Sequence, residues 1–184
     1  MIVKTGRFGQ LSVSKNEIIQ IPQGVLGFSE YKNFCLLDSG DETLILWLQS
    51  LENPELAFPL LEPKIFKSDY SVKLSAAELR ELKLENVNQS AVLSILTIPD
   101  DPTRMTANLK APLVINLKLQ IAKQVVLQEN EYPIKQEMFK ELKMHLITIR
   151  SQYQTQREQS VRDGYSLISI EDIPPSLTVK SLQL

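Results

Sequence analysis

The sequence predicts a mainly β protein: a single-domain antiparallel β-barrel-like fold with one short helix and a C-terminal extension. Three observations carry this. Short runs rich in Val, Ile, Leu and Phe, each bounded by Gly, Pro, Asn or Asp, recur as far as Tyr132, the punctuation of strands joined by turns. Only one segment has a clear helix start, and after Tyr132-Pro133 the composition shifts to Gln, Glu, Lys and Arg. With 184 residues, 43% of them hydrophobic, the chain is long enough to bury one ordinary core without a disulfide or metal.

Ile2 to Thr5 and Gln10 to Ser14 read as a hairpin around Gly6-Arg7-Phe8-Gly9, the glycines supplying the positive φ of a tight turn. Glu17 to Ile21 is a third strand, ended by Pro22. Pro22 to Phe28 contains Gly24 and Gly27 and must be a shaped loop, because neither Pro nor Gly suits an element interior. Phe34 to Asp38, Thr43 to Leu51 and Leu56 to Glu62 are three more strands, joined by Ser39-Gly40-Asp41-Glu42 and Glu52-Asn53-Pro54-Glu55. Ser75 with Glu78 is a capping box, and Leu79, Leu82 and Leu84 follow near helical spacing, so a helix is expected over Ser75 to Leu84. Ser90 to Ile98 returns to strand and stops at Pro99, and Leu113 to Lys118 and Lys123 to Leu127 form a last pair. About nine short strands with one helix argue for an antiparallel barrel or sandwich.

Residues 1–134 are therefore assigned to the barrel and 135–184 to the extension. Over about 135–158 Met138, Leu142, Leu146, Ile149 and Tyr153 fall on one helical face, which favours a helix, although Leu142, Met144 and Leu146 also alternate as in a strand. The last part carries Asp163-Gly164 and Pro174-Pro175 and reads as extended or disordered.

Several chemistries are disfavoured. The longest apolar runs, such as Leu44 to Leu48, are too short for a membrane span, and the N-terminus lacks a secretory h-region, so a cytoplasmic location is expected. Cys35 is the single cysteine, flanked by Phe34, Leu36 and Leu37, and is expected to pack as a small hydrophobe. The single histidine, His145, stands beside no candidate nucleophile, and one Cys with one His cannot build the usual zinc site. Asp100-Asp101 is a turn rather than an acid/base pair, and the glycine-containing turns lack a phosphate-loop ending. No enzyme activity and no cofactor are expected. The net charge of −2 gives no pull toward nucleic acid.

Charge is unevenly placed. Between Asn33 and Pro63 there is no Lys or Arg, while Asp38, Asp41, Glu42, Glu52, Glu55 and Glu62 supply six carboxylates; sharing a surface, they would attract a basic partner. Strand alternation puts Trp47, Gln49 and Leu51 on one face and Leu48 and Ser50 on the other. Trp47 then either caps the core at a barrel end or anchors an interface. The loop from Thr103 to Leu109 carries hydroxyl and amide groups that serve either their own backbone or a partner.

Taken together, certain strings are recognisable: Phe8-Gly9, Ile21-Pro22-Gln23-Gly24 with Gly27-Phe28, Trp47-Leu48-Gln49-Ser50, Pro54-Glu55-Leu56-Ala57-Phe58 and Asp69-Tyr70. Met105-Thr106-Ala107-Asn108-Leu109 follows, with Ala111-Pro112 and Asn116, then Lys123-Gln124-Val125 and Tyr132-Pro133. In this order and spacing the chain resembles the flagellar assembly factor family, FliW. The resemblance implies a compact β-barrel-like protein without catalytic activity that binds two proteins in the bacterial cytoplasm. One is flagellin, held before export; the other is CsrA, a small RNA-binding dimer that represses flagellin translation. As alternative partners they would form a switch, in which the protein released from flagellin binds CsrA and relieves repression, in the family by a remote rather than a competitive effect.

The chain departs from the family pattern twice. Ala122 stands where family members usually have Gly before Lys-Gln-Val, so the turn there must avoid positive φ or take another shape. Family members also usually end soon after the Tyr-Pro, leaving an extension in which Lys143, Arg150 and Arg157 would line one helical face. The alternatives to a CsrA antagonist are a flagellin-specific chaperone without a CsrA role and, much less favoured, a small-molecule enzyme. Partner contacts are expected at Trp47, Gln49, Ser50, Asn53 and Glu55, and at Met105, Thr106 and Asn108. Phe28, Leu48, Phe58, Leu93, Ile95, Ile115 and Val125 are assigned to the core.

Overall fold

A computed structural model of the chain describes residues 1–38, 44–128, 132–144 and 168–169. A hairpin of β1 (Ile2–Thr5) and β2 (Gly9–Ser12) comes first. Its turn is closed by Thr5, whose Oγ1 accepts from the Phe8 N–H at 2.9 Å and donates to the Gly9 carbonyl at 3.0 Å. Then come β3 (Ile18–Gln20), β4 (Asn33–Asp38), β5 (Leu46–Ser50), β6 (Ala57–Leu61), α1 (Ala76–Glu81) and β7 (Ala91–Thr97). The remaining strands are β8 (Thr106–Ala107), β9 (Leu113–Asn116), β10 (Ile121–Gln124), β11 (Gln136–Glu137) and β12 (Ile168–Ser169).

Seven of these strands form a closed ring. Their order is β7-β6-β5-β4-β3-β10-β9, and β9 pairs back onto β7 through Ala91↔Ile115, Val92↔Val114 and Leu93↔Leu113. Every contact in the ring is antiparallel except β10 on β3, which is parallel at Ile121↔Gln20. One face of each strand fills the interior: Ile19, Phe34, Leu36, Leu48, Leu60, Leu93, Leu113, Ile115 and Ala122 belong to one buried cluster, as strand alternation requires. The opposite face carries a second cluster in which Cys35, Leu37, Trp47 and Leu61 are covered by Val3, Phe8, Leu11 and Val13 of the hairpin and its following residue. The barrel is thus apolar on both sides of its wall where outer segments cover it.

The helix start behaves as its sequence predicts: Ser75 is the N-cap, its Oγ accepts from the Glu78 N–H at 3.3 Å, and the Glu78 carboxylate accepts from the Ser75 N–H at 2.7 Å. The end comes earlier than Leu84, because Lys83 turns left-handed at φ 53 and the Leu84 N–H bonds back to the Leu79 carbonyl at 2.9 Å, a Schellman-type stop. Asn116 locks it, donating from Nδ2 to the carbonyls of Leu82 at 2.9 Å and Lys83 at 3.1 Å.

Other elements differ from the sequence-based expectation. The last barrel strand is Ile121–Gln124 rather than Lys123 to Leu127, so Ala122 sits inside it opposite Ile115, facing the barrel interior. The left-handed residue of that turn is Gln120, φ 54. Leu48, Leu93, Ile115 and Val125 are buried, whereas Phe58 and Ile95 are half-buried and Phe28 is 36% exposed. The Gly24–Gly27 loop holds Phe28 edge-on against Phe58, ring centroids 5.2 Å apart, instead of inside the ring.

Within the expected 135–158 helix, Gln136–Glu137 is strand β11, paired with β8. Residues 139–144 are helical, the Leu142 N–H bonds the Met138 carbonyl at 2.8 Å, and Met138 and Leu142 are buried while Met144 is 69% exposed. That pattern is helical for this turn; residues 145–158, with His145, Leu146, Arg150 and Arg157, lie outside the described residues. In the final segment only Ile168–Ser169 is described, as a strand parallel to β4. No helix among the described residues is long and apolar enough to cross a membrane.

Gly24 has φ +71, and a Cβ there would meet the Ser29 Cα at 2.6 Å and the Phe28 carbonyl at 2.8 Å, whereas Gly9 has φ +69 and open space around it. Gly24→Ala is expected to cost about 2–4 kcal/mol and Gly9→Ala about 1–2 kcal/mol in urea unfolding, since only the first adds a clash to left-handed strain.

Candidate functional site

The residues singled out in β5 converge on the turn from Leu51 to Leu56, which carries the chain into β6. Gln49 organises it. Its Nε2 donates toward the carbonyls of Ser50, Asn53, Pro54 and Leu56 at 2.9, 3.3, 3.3 and 3.1 Å, and four acceptors around one end of the amide identify that end as nitrogen. Ser50 Oγ accepts from the N–H groups of Glu52 at 3.2 Å and Asn53 at 3.1 Å. Asn53 Oδ1 accepts from the Glu55 N–H at 3.0 Å, and its Nδ2 donates to the Tyr31 hydroxyl at 3.1 Å. Gln49 and Ser50 have no exposed surface; their side chains build the turn, and what it presents is Asn53, half-buried, and Glu52 and Glu55, exposed.

The hairpin tip meets this turn. The Gly6 N–H donates to the Pro54 carbonyl at 2.9 Å, and the Glu55 carboxylate lies so close that a Cβ on Gly6 would overlap it. Arg7 extends over Trp47, its guanidinium carbon 4.0 Å from the ring centroid, while Phe8 packs against the same indole edge-to-face at 5.6 Å. Trp47 is therefore 8% exposed, a covered core residue with a cation–π lid. Sequence reasoning names Trp47 and Glu55 but not Gly6, Arg7 or Tyr31 as part of this site, because nothing local marks the contacts of Gly6 with Pro54, Arg7 with Trp47 and Tyr31 with Asn53, all distant in the chain.

The second set lies at the same end of the β6–β7 pair. The Leu60↔Ile95 register runs β7 toward Thr97 as β6 runs back toward Ala57, and Thr106 pairs with Thr97. Met105 is buried, Thr106 and Asn108 half-buried. Asn108 accepts from the Ala111 N–H at 3.0 Å and its own N–H donates to the Ile95 carbonyl at 2.9 Å. Asp101 accepts from the N–H and hydroxyl of Thr103 at 3.0 and 2.6 Å, bonds that lower its pKa, so it serves the turn.

The acidic stretch is not one uniform belt. Asp38 is buried at 8% exposure, and Asp41 and Glu42 lie outside the described residues. Glu52 accepts from the N–H of Lys32 at 2.5 Å and of Asn33 at 3.1 Å and from the Asn33 amide at 2.9 Å. Burial works to raise its pKa, but these bonds together outweigh it and the net direction is down. Burial raises the Glu62 carboxyl, with Lys64 acting in the opposite sense. Glu55 is the exposed carboxylate of the turn whose side chain is not consumed in this way.

A model of the FliW protein family matches residues 2–138. The chain belongs to the FliW family. Flagellar assembly factor FliW of Bdellovibrio bacteriovorus is 42% identical over 147 residues, covering 80% of this chain and 84% of that protein. The Geobacter sulfurreducens protein of the same name is 43% identical over 139 residues, covering 76% and 87%. A crystal structure of the flagellar assembly factor FliW superposes with a TM-score of 0.71 at 34% identity, covering 76% of this chain and 97% of that one. The FliW match thus takes in the barrel and both loop sets just described.

Two outcomes are expected from this geometry. Gln49→Leu leaves the turn carbonyls without their donor and is expected to destabilise by about 1–3 kcal/mol in chemical denaturation. Cys35 is fully buried, and burial, with the charge of Glu17 adding to it, pushes its thiol up to about 12. An aromatic disulfide reagent at pH 8 should leave Cys35 unlabelled in the folded chain and label it fully in urea.

Proposed function

We propose that this FliW family member is a non-enzymatic flagellar assembly factor of the cytoplasm, binding flagellin and CsrA as alternative partners and antagonising CsrA repression of flagellin translation when released from flagellin. It contacts neither nucleic acid nor membrane directly and needs no cofactor. The observation that carries the reading is the family match over residues 2–138, together with relatives that bear the name flagellar assembly factor. The non-enzymatic part is supported by how the chemically suggestive groups are used: Cys35 is buried with its thiol suppressed, Asp101 caps a turn, and Tyr70 donates to the Leu109 carbonyl at 2.8 Å with its pKa raised by burial.

In this reading the partner surface is the end of the barrel where Asn53 and Glu55 stand on one turn and Thr106 and Asn108 on the neighbouring loop. Trp47, Gln49, Ser50 and Met105 act beneath it, holding the backbone in place. A basic partner surface would be steered by Glu55 and its neighbours, and such steering weakens with salt.

Calorimetric titration into purified CsrA is expected to show binding that weakens as salt rises and is lost when flagellin is prebound. Glu55→Gln should weaken CsrA binding by a few-fold, the size of about 0.2–1 kcal/mol for an exposed charge. Flagellin binding without CsrA binding would replace this reading with that of a flagellin-specific chaperone. Salt-independent affinity would remove the acidic turn from it.

A further inference from the structure

Two large apolar side chains stand exposed on one short loop at the barrel end that carries Asn53 and Glu55: Leu26 is 58% and Phe28 36% exposed. The loop leaves β3 and returns into β4 beside the Leu51 to Leu56 turn, to which it is joined by the Tyr31 hydroxyl on the Asn53 amide at 3.1 Å and by the Lys32 N–H on the Glu52 carboxylate. Single surface leucines need no explanation. This pair does, because the loop is not free to fold them inward.

Its backbone is tied along its length. The Ile21 N–H donates to the Lys32 carbonyl and closes the base, while the Gly24 N–H reaches the Ile21 carbonyl and the Phe28 N–H the Val25 carbonyl, each at 2.8 Å. The Leu26 N–H donates to Oε1 of the buried Gln124 at 2.9 Å. Gln23 donates to the Glu81 carboxylate at 2.9 Å, which also accepts from Lys123 at 2.8 Å, so the loop is fastened to α1 and β10 as well. Val25 is buried beneath it, and Gly24, left-handed, has no room for a Cβ. Leu26 and Phe28 are thus fixed facing outward, and a rigid apolar pair gives up little freedom when something covers it. The apolar surface continues into the barrel mouth: Phe28 lies against Phe58, which is half-buried and 6.4 Å from the interior Phe34 ring.

The charges around this pair select its occupant. Glu30, Glu52 and Glu55 are exposed beside it, against one half-buried cation, Lys32. A second copy docked about a two-fold axis would bring the same carboxylates face to face, and an anionic membrane would meet them with its own negative charge. A basic protein surface gains from them, and an apolar centre inside a charged rim is the anatomy of a protein interface. We infer that Leu26 and Phe28 form the apolar anchor of the partner surface, taking a protein segment that sets an apolar side chain beside Lys or Arg. The inference rests on the proposed function, in which CsrA, as an RNA-binding protein, supplies the basic surface. It adds that the carboxylates steer the encounter while this loop holds the complex.

The test titrates purified CsrA with the full chain and its Leu26→Ser, Leu26→Met and Leu119→Ser variants at low and high salt. Leu119, 46% exposed in the turn between β9 and β10, is the control for loss of any surface leucine. Leu26→Ser is expected to weaken binding at least about tenfold at both salt concentrations, Leu26→Met to stay within about twofold of the native chain, and Leu119→Ser to change nothing. The urea midpoint of Leu26→Ser should match that of the native chain, a result that a merely structural role for Leu26 would not give. Native affinity in Leu26→Ser would overturn the anchor and leave the proposed function standing, as would a loss confined to low salt, where charge alone acts. Failure of the native chain to bind CsrA would instead overturn the proposed function, and this inference with it. Sedimentation of the native chain as a dimer that Leu26→Ser renders monomeric would assign the loop to a second copy. Binding to phosphatidylglycerol and phosphatidylcholine vesicles that Leu26→Ser abolishes would assign it to a membrane. Either result overturns the inference.

Discussion

The pairing of β9 with β7 closes the ring, and the rest of the molecule depends on that closure. A sheet whose strands carry Phe34, Leu36, Leu48, Leu60, Leu93 and Ile115 on one face must bury that face, and curling until the ends meet does so while removing two exposed edges. The narrowest place in the ring is the parallel contact of β10 with β3, a single register pair. It is reinforced from outside the ladder. The Gln20 N–H donates to the Gln120 carbonyl at 2.8 Å, and Gln124 reaches both ways, accepting from the Leu26 N–H and donating to the Ala111 carbonyl, each at 2.9 Å.

The residues that make the sequence recognisable turn out to be largely those ties. Gln49 gathers the carbonyls of one turn, Asn116 holds the end of α1, and Gln124 joins the Gly24–Gly27 loop to the barrel. Tyr70 and Tyr132 stack with centroids 4.6 Å apart, Tyr132 accepting from the Ser71 N–H at 3.1 Å. Each is a polar group in a buried place, where losing its partner costs more than the bond is worth in water. They position a surface rather than form one: the neighbours they hold in place, Asn53 and Glu55 on one loop and Thr106 and Asn108 on the next, are the side chains left at least partly exposed.

Much of the fold was legible beforehand because its signals are local. The Ser75/Glu78 capping box, the hairpin turn at Gly6 to Gly9 and the alternation of β4, β5 and β7 each depend on a few adjacent residues, and period and turn chemistry report these directly. The errors came where local signals conflict or vanish. Ala122 read as part of a turn because the turn's left-handed residue, Gln120, is not a glycine. Gln136–Glu137 read as helix because two strand residues cannot show an alternation, and only β8 across from them decides the matter.

By itself the sequence determined the mainly β class, the hairpins, the capped helix and the family, since all of these follow from order, spacing and local conformational preference. Tertiary structure alone decided which polar and aromatic residues are buried and which stay at the surface. Trp47 and Gln49 share a strand face in any reading, but whether that face is surface or interior depends on the Gly6–Phe8 tip, from the N-terminal hairpin, arriving to cover it. Burial is set by segments distant in sequence, and no periodicity within one strand carries information about them.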